Sequence, residues 1–261
     1  SAIEKRQLNF EELTLDIQDQ TMVKTIETAL NNSDERQQIF ALDIIRNIPL
    51  TPWKQSLNRL MEKGNITVKK EILNISVNNG NIIDDQRIID LIETDNELDI
   101  DAIAIAGKRK LNNAVPVIIK YLEDPKIEKR IIAAAALNTI DPDSSNVAKQ
   151  LLIDALRSTN EKLISVALNQ LSSDNEILPD DSLIHYLNDS SFVIRNAALF
   201  VAETRQTPKF LPEIIYSLAD PRSAIPARTA LTAYNEQDVI NTLIQYAQDS
   251  NTQKSLVIGI I

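Results

Sequence analysis

Cysteine is absent from this sequence, and histidine occurs once, as His185. The first absence excludes disulfide scaffolds, thiolate metal sites and cysteine nucleophiles; the second excludes any multi-histidine metal centre. Glycine is scarce as well. Gly64, Gly80, Gly107 and Gly259 lie far apart, so there is no Gly-rich loop to bring backbone N–H groups against a phosphate. No run approaches the roughly 18 uninterrupted apolar residues of a membrane span, and no charged-then-apolar signal peptide opens the chain. Surplus positive charge is missing too. Lys and Arg number 27 against 37 Asp and Glu, a net charge of −10, and neither half of the chain is basic. Neutralising phosphates takes an excess of cations on one surface, so nucleic acid is not an expected partner.

What is present is a regular apolar pattern in a chain of 261 residues, 43% of them hydrophobic. Large side chains recur just before polar or Pro-containing turns: Leu30, Leu60, Ile92, Leu122, Leu156, Leu187, Leu218 and Tyr246. The period is about 31 residues, within the range of helical repeat units. Each period has two parts. A first helix carries apolar residues at helical spacing, as in Val117, Ile118, Tyr121 and Leu122. After a tight turn comes a second helix rich in small residues, as in Ile131 to Leu137 or Val193 to Leu199. Thr51-Pro52-Trp53 and Thr207-Pro208 mark helix starts, with Thr as the expected cap and Pro in the first turn. A lone hairpin of this size cannot bury its apolar face, so neighbours must stack.

These residues resemble HEAT repeats. The motif is clearest in Leu122-Glu-Asp124-Pro125 leading to Arg130 and Ala133, and recurs from Leu187-Asn-Asp189 to Arg195 and from Leu218-Ala-Asp220-Pro221 to Arg228. The units around Leu60 and Ile92 are degenerate: Lys69-Lys70 stand near the Arg position in one, and the other has no basic residue there. The resemblance implies an all-α superhelix, or solenoid, of seven to eight helical hairpins over residues 21–261, cut short at its C-terminus, behind a linker or capping segment over residues 1–20. It also implies a concave layer of second helices suited to an extended partner such as a peptide segment or a protein helix. A second, shorter resemblance rests on Ile3 to Leu13 and Ser33 to Asp43. Those stretches are similar to the soluble HEAT-repeat region of bacterial ATP/ADP translocase-like transporters. That resemblance implies a regulatory appendage tethered on the cytoplasmic side of a membrane, and the Ser at position 1 and the apolar C-terminal end agree with an excised segment.

Each candidate for chemistry also has a plainer role. His185 sits beside apolar positions with no Ser-His-Asp spacing around it, which predicts a structural histidine. Asp141-Pro-Asp143-Ser-Ser145 resembles the opening of a calcium loop but lacks the turn glycine, and Leu152 occupies the place of the bidentate Glu. It reads as a capping turn. Residues 84–101 hold eight acidic side chains against Arg87 alone, most simply a solvated face followed by the offsetting cluster Lys108-Arg109-Lys110. Trp53, the only tryptophan, is expected to cover the seam between repeats, and Tyr121 and Tyr186 to share a structural role. The candidate partner-contacting residues are Arg130, Arg195 and Arg228 on the second helices and Asp95, Asp99 and Asp101 in the acidic stretch. No catalytic residue, cofactor or metal is expected. Helical-repeat DNA glycosylases and pigment lyases share the architecture, but the acidic balance opposes the first and no motif singles out the second. The expectation is a non-catalytic scaffold for protein–protein interaction.

Overall fold

The structure, a computed structural model, describes residues 20–46, 48–77, 82–142 and 146–248. Among them are fifteen α-helices and no strand. Residues 3–13, 143–145 and 255–261, on which some of the sequence expectations rest, lie outside the described residues. The chain divides into two compact units, residues 1–111 and 112–261.

In the first unit, α1 (Gln20–Leu30), α3 (Lys54–Lys63) and α5 (Asp85–Thr94) alternate with α2 (Glu35–Ile44), α4 (Ile66–Ile75) and α6 (Asp99–Lys108). Each odd helix packs on the even helix that follows it. The rows also run lengthwise, α1 on α3, α2 on α4 and α4 on α6. The second unit repeats the scheme. It comprises α7 (Val115–Ile118), continued by a 3-10 segment over Ile119–Glu123, then α8 (Ile127–Ile140), α9 (Asn146–Leu156) and α10 (Glu161–Gln170). It goes on through α11 (Asp180–Leu187), α12 (Phe192–Arg205), α13 (Leu211–Ser217), α14 (Ala224–Thr232) and α15 (Glu236–Gln248). Here α8, α10, α12 and α14 pack one on the next, as do α11, α13 and α15. The arrangement is repeat-like: seven sequence-adjacent pairs, with α15 left over.

The sequence period has a local cause in the turn within each pair. Asp34, Asn65, Asp95, Asp124, Asn160, Asp189 and Asp220 each accept a hydrogen bond, at 2.8–3.0 Å, from a backbone N–H two or three residues on. The first N–H groups of a helix have no partner in the preceding turn, and a short side-chain acceptor supplies one. Before these turns stand the anchors. Leu30, Leu60, Ile92, Leu156, Leu187 and Leu218 are buried, while Leu122 and Tyr246 are half-buried. Gly64 ends α3 for a steric reason. A Cβ there would stand 2.5 Å from the Leu60 carbonyl oxygen, which already accepts from the Gly64 N–H at 2.8 Å. The threonines expected as caps act differently. Thr51–Trp53 and Pro208–Phe210 are 3-10 turns ahead of α3 and α13, and Thr207 makes no side-chain capping bond. Proline tolerates that position because no helical partner is needed for its missing N–H.

Polar atoms on four large side chains reach back to the helices one period before. Trp53 is 1% exposed, and its Nε1–H donates to the Val23 carbonyl at 3.1 Å. The Tyr186, Tyr234 and Tyr246 hydroxyls donate to the Leu156, Ala202 and Pro212 carbonyls at 3.0, 2.8 and 3.1 Å. Each bond spans one period. Trp53 thus seals the seam, as the sequence suggested. The Lys129 ammonium lies 5.6 Å from the Tyr121 ring centroid.

Two arginines go further. Arg109, the C-cap of α6, has a side chain only 7% exposed. It donates to the Val77 carbonyl at 3.2 Å, the Ile83 carbonyl at 2.7 Å and the Asp85 carboxylate at 3.3 Å, and also to the Ser76 carbonyl. Arg205, last residue of α12 and 5% exposed at its side chain, does the same one unit later. It donates to the Ser172 carbonyl at 2.9 Å, the Leu178 carbonyl at 2.8 Å and the Asp180 carboxylate at 3.0 Å. Its second terminal nitrogen reaches the Leu171 and Asp174 carbonyls at 3.2 and 2.8 Å. Each arginine is followed by a left-handed residue, Lys110 at φ 54° and Gln206 at φ 52°. The chain turns away there at once, leaving the guanidinium pointing back into the preceding loop.

Replacing Arg109 by Met leaves buried carbonyls without donors, each a penalty of roughly 1–3 kcal/mol, so the variant is expected to lose about 3 kcal/mol or more. Urea unfolding followed through Trp53 fluorescence reads this in the same unit; an unchanged midpoint contradicts the clamp. Burial raises the pKa of Tyr186, Tyr234 and Tyr246, with Asp189, Asp180 and Glu213 respectively adding to it. A raised folded-state pKa means that stability is fully present below the unfolded value of about 10 and is lost as pH rises beyond it. Phenolate absorbance is expected to lag behind free tyrosine on titration. Tyr234→Phe should flatten the alkaline loss of stability.

Candidate functional site

The row of even helices is where charge is organised. In the first unit Arg46, just after α2, pairs with Glu71 of α4 at 2.8 Å, and Lys70 of α4 pairs with Asp101 of α6 at 3.2 Å. In the second, Lys162 of α10 pairs with Glu128 of α8 at 2.6 Å. The hydrogen bond from Lys162 lowers the Glu128 pKa. Further on, Arg195 of α12 reaches Asp220 in the turn before α14, and the Asn196 amide donates to the Arg222 carbonyl at 3.1 Å. These bonds link successive even helices along each row.

The acidic candidates turn out to be occupied within the first unit. Asp95 accepts from the Glu97 and Leu98 N–H groups at 3.0 and 3.2 Å. Asp99 is 2% exposed and accepts from the Ile100 N–H at 2.8 Å. Asp101 holds Lys70. The rest of the stretch is likewise divided among local tasks: Asp84 caps α5 through the Arg87 N–H at 2.7 Å, and Asp90 accepts from Gln86 at 2.9 Å. Of the Lys108-Arg109-Lys110 cluster, Arg109 does meet the acidic stretch at Asp85, but from the interior. His185 is exposed on α11, edge-on to Tyr186 at 5.9 Å between centroids.

The three arginines separate into three situations. Arg195 is the fourth residue of α12; its guanidinium donates to the Asp189 and Ser190 carbonyls at 2.7 and 3.0 Å and to the Asp220 carboxylate. Arg130 is the fourth residue of α8, three beyond the first, in the same register after Asp124 as Arg195 after Asp189. Its Nε is buried and has no hydrogen-bond partner. Arg228 is the fifth residue of α14 and exposed. The helix begins one residue further from it, and Arg222 occupies Asp220 instead, at 2.9 Å.

Arg130 borders an open cavity of about 500 Å³ between α8, α9 and the start of α10. Ile127, Leu151, Ala155 and Leu163 give it aliphatic walls, Val147 stands exposed at its edge, and Gln150, Asp154 and Ser158 supply polar groups. Asp154 is exposed and accepts from Gln150 at 2.8 Å. The arrangement suits a ligand with a polar group beside an apolar one, since a small number of placed polar atoms in an apolar cavity fixes orientation. No protein-family model matches the chain, and no curated protein matches it. Among the described residues, no group of three or more His, Asp or Glu side chains is placed to hold a metal ion, and no helix is long and apolar enough to cross a membrane.

The sequence pointed to Arg130 but not to its surroundings. Val147, Gln150 and Asp154 share a face of α9 at spacings of three and four, a pattern that reads as an ordinary solvated helix until α8 is seen beside it. Apolar side chains are exposed elsewhere on the same even row: Phe200 on α12, Ile225 on α14, and Phe192, whose ring lies 5.0 Å below the Arg222 guanidinium.

Hydrogen bonds from Arg222, with Arg195 beside it, hold the Asp220 pKa down to about 2. A depressed carboxylate contributes stability above its unfolded pKa of about 4, lost as pH falls through the folded value. The contribution of Asp220 is therefore expected to vanish between about pH 4 and pH 2. Carboxyl-carbon NMR titration checks this: a midpoint near 4 for Asp220 contradicts the bridge.

Proposed function

We propose that this chain is a non-catalytic HEAT-like scaffold, a solenoid of helical hairpins whose row of second helices forms a concave surface for a segment of a partner protein. The observation that carries this reading is the lengthwise packing of α8 on α10, α10 on α12 and α12 on α14, with a half-apolar cavity opening beside that row. Rows built from nearest-neighbour contacts present long surfaces, and a segment lying along one gains affinity from several modest sites. The exposed Phe192, Phe200 and Ile225 supply apolar contacts on the same row, and the net charge of −10 keeps polyanions away.

Two measurements test the reading. A compact chain of this length has a radius of gyration near roughly 18 Å; small-angle scattering is expected to exceed that clearly, and a value at 18 Å counts against the solenoid. Selection from a random peptide library against the folded protein is expected to yield binders whose footprint, mapped by hydrogen exchange, lies on α8, α10, α12 and α14. A footprint confined to the odd helices, or hydrolysis of the peptides by the purified protein, refutes the scaffold.

A further inference from the structure

The structure assigns the cavity between α8, α9 and α10 to a peptide carboxylate, and Arg130 to its recognition; this rests on the scaffold reading and names what one part of the surface takes. The argument is an internal comparison. Arg130 and Arg195 hold the same position in their helices and follow equivalent turn residues, Asp124 and Asp189, each of which accepts from a backbone N–H two residues on at 2.8 Å. Arg195 finds its anion in the turn of the next pair, Asp220, which also accepts from the Arg222 N–H at 3.0 Å. The residue at that place in the turn after Arg130 is Asn160, which accepts from the Lys162 N–H at the same 3.0 Å. An amide has replaced the carboxylate. Among the described residues, Arg130 is therefore left with a buried, unpartnered Nε and no ion pair, at the border of the cavity.

Arg130 lines the cavity and has no counter-ion among the described residues, so a ligand carboxylate there meets its guanidinium through charge-assisted hydrogen bonds. The remaining lining restricts the ligand further. Ile127, Leu151 and Leu163 call for an aliphatic group next to the carboxylate, which inorganic phosphate lacks. Asp154 at the rim opposes a second negative charge. An Asp or Glu side chain flanked by aliphatic residues satisfies both conditions, and the volume of about 500 Å³ holds such a group rather than a whole domain.

The test is an NMR titration of the arginine Nε–H signals with acetyl-Leu-Glu-Leu-amide, acetyl-Leu-Gln-Leu-amide and inorganic phosphate. The Arg130 signal, identified by its loss in Arg130→Gln, is expected to shift saturably with the Glu peptide alone, while the Arg195 and Arg205 signals stay in place. Asn160→Asp restores the carboxylate that Arg195 receives from Asp220, and should weaken the Glu peptide by about tenfold or more. Equal response to the Glu and Gln peptides, saturation by phosphate, no response at all, or unchanged affinity in Asn160→Asp overturns the assignment. Library peptides that bind the wild type and Arg130→Gln equally well sink this subsite and leave the scaffold standing; a library yielding no binder for either sinks both.

Discussion

Where a loop leaves one helical pair for the next, the carbonyls that face inward are out of reach of water. Unpaired, each costs more than any single apolar contact returns. At Ser76, Val77 and Ile83, and again at residues 171–178, the solution is one guanidinium, Arg109 or Arg205, inserted from the following pair. The geometry of arginine makes this possible: its planar fork offers five donors in fixed directions, so one side chain can serve several carbonyls and still meet an aspartate. Lysine, with a single compact ammonium, cannot span the same set. Because each arginine comes from the later pair and several of its carbonyl acceptors directly follow the earlier one, the placement of those carbonyls and the packing of the two pairs are one structural fact.

The same direction of dependence runs through Trp53, Tyr186, Tyr234 and Tyr246, which reach back about one period to a carbonyl of an earlier helix. Each side chain buries a ring against the seam and spends its one polar hydrogen on an acceptor, the way large amphipathic side chains avoid an unsatisfied group. Stability within each unit is therefore held mostly between neighbours, and a weakened pair is felt by the next one along. The scarcity of glycine follows from this design. Short helices held at both ends have little use for a residue that loosens them by roughly 1 kcal/mol relative to Ala.

The helical pairs were legible in the sequence because what defines them is local. An Asp or Asn that caps two or three residues ahead, and a leucine that ends the helix before it, leave their mark at fixed offsets. The Arg109 and Arg205 clamps were not legible, since their acceptors are main-chain carbonyls, which any residue supplies. Lys108-Arg109-Lys110 looked like surface charge because composition does not distinguish a buried arginine from two exposed lysines. Arg228 was grouped with Arg130 and Arg195 as the arginine of an Ala-containing helix after an Asp turn; counted from the first helical residue, it is off by one. The acidic stretch holds eight carboxylates among eighteen residues; several sit at helix starts, and helical geometry gives Asp84, Asp90, Asp99 and Asp101 different partners.

The departure at Asn160 carries a different kind of information from the agreements. Where turn residues serve only the next helix, Asp and Asn are interchangeable, since either accepts from a backbone N–H; Asn65 and Asp34 do the same work. They stop being interchangeable when an arginine of the preceding pair depends on the residue's charge. Asp220 serves both the Arg222 N–H and the Arg195 guanidinium, and Asn160 serves only the first kind of demand. A substitution silent for folding of the turn is thus expressed one pair away, as a cation beside an open cavity. Repeat-like structures can vary surface chemistry in this way without disturbing the hydrogen bonds that hold them together, because the capping bond and the ion pair use separate properties of one side chain. Local inconsistency with an otherwise shared pattern is where function is to be sought, and at Arg130 that inconsistency is a missing charge of known sign.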